Sequence, residues 1–132
     1  AYTLTTTNHS KFAPVVVHEF GHSFAGLADE YFYESDVFEN SGTKQIEPWE
    51  QNITSLANFN SKWLDMLPSK TPIPTNTADV LKYKIGVYEG LKGNGLYIPS
   101  HNCRMKTNEA TNFCAVCERA IHNLIQFYTT EI

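Results

Sequence analysis

No apolar run in this 132-residue chain approaches the length of about 20 residues that a bilayer-spanning helix needs; Val15-Val16-Val17 is an example of how short such runs are. A membrane span is therefore not expected. Blocks of like charge are missing too, and the formal net charge is only -4, which argues against nucleic acid and anionic membrane as partners. There is no internal repeat and no low-complexity tract, so a solenoid or a linker is excluded. No secretion signal stands at Ala1. Cysteine is scarce: Cys103, Cys114 and Cys117 are the three present, an odd number that does not close into disulfides alone. Against these absences, the hydrophobic fraction of 42% is enough to bury a core, which excludes disorder, and the length suits a single domain.

Local signals divide the chain. Ser10 is a helix cap, Pro14 is tolerated in a first turn, and Val16, Val17, Phe20 and Phe24 recur at helical spacing up to Gly26, a C-terminal stop. Residues 30–47 read as loop. Residues 52–67, with Leu56, Phe59, Trp63, Leu64 and Leu67, read as a second helix, ended by Pro68, Pro72 and Pro74. The β-prone stretches 85–89 and 95–98 flank a glycine-rich turn and predict a hairpin. Val116, Ala120, Leu124 and Phe127 outline a closing helix from Asn112 onward.

The first helix carries His18-Glu19-Phe20-Gly21-His22. Residues four apart lie on one helical face, so both imidazoles can aim at one point. Imidazole binds Zn2+ at about 2 Å. Glu19 lies too far round the helix to be an ideal ligand, and instead faces the water that the ion activates, whose proton it can take. A catalytic zinc needs a third protein ligand and an open position. Metzincins place a Gly three residues after the second His and a ligand three after that. Here Gly26 comes four residues after His22, and Asp29 three after Gly26. Asp29 is the expected third ligand, with Glu30 and Glu34 as alternatives; as an ordinary residue it would cap or turn.

The stretch from His18 to Tyr31 resembles the immunoglobulin-A peptidase family of bacterial zinc peptidases. Residues 85–99, Asn102-Cys103-Arg104-Met105 and Phe113-Cys114-Ala115-Val116-Cys117 are similar to that family's later segments. The resemblance implies an α+β, metzincin-like zincin fold, secretion or another extracytoplasmic location, and endopeptidase action on protein or peptide substrates. It also implies that Met105 forms a methionine turn beneath the zinc, whereas in isolation it reads as a core methionine. Thr107 stands where several metzincins carry a Tyr. An upstream sheet is expected in such folds, so the chain is read as a C-terminal, zinc-binding portion: one helix-rich subdomain over 1–132 with a small β-hairpin, lacking an N-terminal part.

The remaining candidates are less determined. Tyr31 and Tyr33 offer phenols to an oxyanion, or are packing residues. His101 lies near the methionine turn and is otherwise a solvent-exposed loop residue. Cys103, Cys114 and Cys117 form one disulfide and a free thiol, a second metal site completed by His101 or His122, or three thiols, with the disulfide the simplest in a secreted protein. Asn52-Ile53-Thr54 matches the glycosylation pattern by accident of composition. The sequence thus predicts a zinc endopeptidase with Glu19 as general base. The alternative is a zinc- or peptide-holding fragment that does not cleave.

Overall fold

A computed structural model describes residues 10–30, 46–91 and 95–130. Helix α1, Phe12–Ala25, begins at Lys11 rather than Ser10, without a side-chain cap. Pro14 occupies its first turn, where a backbone N–H has no helical acceptor to lose. Gly26 ends the helix as expected. It adopts the left-handed conformation (φ 63°), and its N–H and that of Leu27 bond to the carbonyls of His22 and Gly21. A Cβ at Gly26 would also lie 2.8 Å from the Trp49 ring.

The faces of α1 are not arranged as its apolar stripe suggests. Val17 and Phe20 are exposed, and Phe20 stacks on Phe24 with centroids 5.0 Å apart, while the buried positions are His18 and Gly21. The histidine face turns inward because the chain near residues 27 and 104 supplies carbonyl partners for both rings.

The expected helix over 52–67 is absent. Two single 3-10 turns, Phe59–Ser61 and Leu64–Met66, stand in its place. Thr54 pairs its backbone in both directions with Tyr97, and Leu56 takes a left-handed φ of 67°. Lys62 donates to the carbonyls of Pro48 and Glu50, and the Trp63 indole donates to Gly86 O at 2.7 Å. These distant anchors outweigh the modest helical preference of the segment.

Strands β1, Tyr88–Leu91, and β2, Leu96–Ile98, form the expected antiparallel hairpin. The register breaks between Glu89 and Leu91, at Gly90, where a Cβ would approach Ile98 Cγ2 to 2.4 Å. Helix α2, Ala115–Thr129, starts from Cys114 and buries Val116 and Cys117. It packs against α1, and Arg119 reaches Asp65 and the Lys62 carbonyl. The main core joins Leu27, Phe59, Trp63, Val87, Met105 and Val116 with all three cysteines; Ile53, Tyr88 and Ile98 make a smaller one under the hairpin. Two helices and a hairpin are the expected α+β class. Among the described residues, no helix is long and apolar enough to cross a membrane.

Candidate metal centre

Three side chains from α1 and the turn after it meet at one point. His18 Nε2 and His22 Nε2 are 3.0 Å apart, and Asp29 Oδ1 lies 3.0 and 2.9 Å from them. The rings stand edge to face, 4.7 Å between centroids, as the four-residue spacing requires. Each imidazole is held from its other nitrogen: His18 Nδ1 donates to Arg104 O at 2.7 Å, and His22 Nδ1 to Leu27 O at 2.6 Å. A carbonyl can only accept, so both Nδ1 atoms carry the proton. In the neutral rings both Nε2 atoms then present lone pairs. Two lone pairs and a carboxylate oxygen facing one another at about 3 Å are stable only around a proton or a cation.

The pKa shifts express that requirement. Burial works to lower the His18 pKa, but Asp29 and the Arg104 carbonyl outweigh it and raise the value above 6.5. At His22 the Asp29 hydrogen bond leads, and the value is again raised, with the charge of Glu19 contributing. Burial pushes Asp29 up, yet the two imidazoles overcome it and hold the carboxyl well below its ordinary 3.8. Glu19 is half-buried on α1, near enough for its charge to act on His22.

The donor set fits zinc: two imidazole nitrogens and one carboxylate oxygen, with both rings oriented through hydrogen bonds at Nδ1. Side-chain exposure rises from 9% at His18 through 28% at His22 to 42% at Asp29, so the trio is walled on the His18 side and open on the Asp29 side. An exchangeable fourth position would lie there.

Beneath the trio runs the segment around Met105, which is fully buried. Its carbonyl accepts the Glu30 N–H at 2.9 Å, and a Cβ on Gly21 would sit 2.6 Å from its sulfur. Gly21 thus lets the Met105 side chain press against α1 at the residue just before His22.

Other expected residues stand apart. Glu30 is wholly buried and does not join the trio; its Oε1 accepts from Asn52 and lies 3.4 Å from Cys117 Sγ. His101 is half-buried rather than solvent-exposed, and packs on the Tyr88 ring at 5.1 Å. His122 is exposed on α2. The three cysteines make no disulfide, and neither His101 nor His122 joins them. Tyr31, Tyr33 and Glu34 lie outside the described residues.

Sequence reading missed Asn52. It is buried, its Oδ1 accepts the Ala28 N–H at 2.8 Å, and its amide donates to Ala28 O at 2.8 Å and Glu30 Oε1 at 2.9 Å. The glycosylation pattern that begins there is therefore sealed inside the fold. Nothing in the spacing of residues 28 and 52 signals this clamp on the turn that carries Asp29.

No curated protein matches the chain. A family model, described as IgA Peptidase M64, matches residues 1–84 and 76–125, a span that contains both the trio and the Met105 segment. With nearly its whole length covered, the chain belongs to the IgA peptidase M64 family, and so to the peptidases, hydrolases whose substrates are proteins or peptides.

Proposed function

We propose that this chain carries the metal-binding and proton-transfer machinery of a zinc endopeptidase on a metzincin-like fold. The observation that carries the reading is the convergence of His18 Nε2, His22 Nε2 and Asp29 Oδ1 within 3.0 Å while both Nδ1 protons point to carbonyls. Zinc bound there would polarise the scissile carbonyl and lower the pKa of a water to about 7. Glu19, one residue along from His18, would be the base that accepts a proton from the attacking water and passes it to the leaving amine. Its charge reaches His22, and it stands outside the group of His18, His22 and Asp29. Met105 is the apolar floor against which the α1 backbone is set. Tyr31 remains a candidate oxyanion donor, and His101 has no role in this reading.

Residues 85–99, which include the β1–β2 hairpin, would edge the cleft and pair with extended substrate, as an exposed strand can.

The test is a zinc-loaded chain assayed on an unfolded protein substrate beside Glu19→Gln. The variant should hold its zinc, by elemental analysis, while hydrolysis falls roughly 10²–10⁴-fold. Undiminished cleavage by the variant would remove Glu19 as the base. A wild-type chain that takes up zinc but cleaves nothing would favour the zinc-holding fragment.

A further inference from the structure

A second group of ligand-type side chains lies in the core. Glu30, Cys103, Cys114 and Cys117 are all buried, and one ligand atom from each lies within 4.8 Å of the others. They come from three separate segments: the residue after Asp29, the residue two before Met105, and the start of α2.

Distances decide between a disulfide and a metal. Cys103 Sγ and Cys117 Sγ are 3.6 Å apart. A disulfide needs about 2.05 Å. Two thiolates on one tetrahedral zinc, with bonds of about 2.3 Å, stand about 3.8 Å apart. Cys117 Sγ and Glu30 Oε1 are 3.4 Å apart, against about 3.5 Å for a sulfur–oxygen edge of the same tetrahedron. The Cys114 N–H, at the head of α2, donates to Cys103 Sγ at 3.1 Å, which favours a thiolate there.

Glu30 is an independent pointer. It has no exposed surface, and among the described residues its buried Oε2 has no hydrogen-bond partner. A buried carboxylate oxygen with nothing to bind is costly, and charges are buried when they are paired or coordinate a metal. Here the neighbours are sulfurs, which offer weak donors as thiols and metal ligands as thiolates.

We propose that Glu30, Cys103, Cys114 and Cys117 form a closed structural zinc site, separate from the trio on α1. Three soft thiolates select against magnesium and calcium, and a carboxylate oxygen as fourth ligand suits zinc better than copper(I). The site has no exposed ligand and no open position, so it staples rather than catalyses. It joins the turn after α1 to the Met105 segment and to α2. Because Glu30 is bonded to Asp29 and its N–H bonds to Met105 O, the staple sets where the Asp29 carboxylate stands. The inference does not depend on peptidase activity.

X-ray absorption at the zinc edge, with elemental analysis of the zinc-loaded chain, tests it. About two zinc ions per chain are expected, with sulfur neighbours at about 2.3 Å. His18→Ala/His22→Ala should keep about one zinc, now dominated by sulfur; Glu30→Gln should lose that ion, and the zinc left at the trio, with only nitrogen and oxygen neighbours, should be held more weakly. Native alkylation followed by mass spectrometry should show three protected cysteines that become reactive after chelation. One zinc with only nitrogen and oxygen neighbours would overturn the proposal. So would a disulfide among the three cysteines in chain that still binds zinc at the trio. The wild-type spectrum decides the matter by itself if a variant does not fold.

Discussion

The Nδ1 protons of His18 and His22 are committed to backbone carbonyls, so any change in protonation occurs at the Nε2 atoms facing Asp29. In the metal-free chain both imidazoles have pKa values raised above 6.5, and Asp29 is lowered from 3.8. The imidazoles' contribution to stability is therefore complete below pH 6.5 and is lost as pH rises through their folded values. The Asp29 contribution is present above pH 3.8 and is lost as pH falls through its lower folded value. Metal reverses the upper limit, because it needs the imidazoles free of protons. Zinc affinity at the trio should climb with pH through 6.5 and level off only above it, measured by competition with a chromophoric chelator; a flat profile would contradict the raised values. Gly21 permits a second test at this scale. Gly21→Ala places a methyl 2.6 Å from the buried Met105 sulfur and 3.1 Å from Phe113 Cε1. A loss of roughly 1–3 kcal/mol in denaturant titration is expected despite the better helix propensity of alanine.

At the scale of elements, α1 presents His18 and His22 together by its own geometry, but Asp29 depends on a turn that has no regular structure to hold it. Asn52 does that work, pairing with Ala28 through both backbone groups as a strand residue would, and reaching on to Glu30. Asn52→Asp keeps the shape but replaces two donated hydrogen bonds with a carboxylate facing a carbonyl and another carboxylate. It should cost at least about 2 kcal/mol of stability. Zinc binding to the trio should weaken in the same variant, by titration, because Asp29 is next to the released residue. Stability equal to wild type would show that the turn is held by other means.

Across the whole molecule, the regular elements are few, and much of the core lies where segments distant in sequence meet: Leu27 near the turn, Trp63 in the irregular middle, Met105, and the start of α2. Ligands that bridge such segments stabilise only the folded state. At a free zinc concentration of 1,000 Kd, one site adds about 4.1 kcal/mol. For a domain of this size, removing the metal should lower the thermal midpoint by roughly 10 °C or more. Scanning calorimetry with and without a chelator checks this, with recovery expected on adding zinc and not magnesium. An unchanged midpoint would mean that the fold does not depend on bound metal.

What the amino-acid order determined by itself was local. The four-residue spacing of His18 and His22, the helix stop at Gly26, the hairpin and the closing helix all follow from backbone geometry and residue types within a turn or two. Spacing also nominated Asp29. Only the tertiary structure decided the rest. The partner that orients His18 is Arg104 O, 86 positions away, and Glu30 meets Cys117 across 87. The segment 52–67 gave up its expected helix because Thr54, Lys62 and Trp63 bond to groups elsewhere in the chain. Hydrophobic periodicity even pointed the wrong face of α1 inward. Periodicity reports where apolar side chains lie around an axis, whereas the direction a helix faces is decided by the partners that packing brings to it.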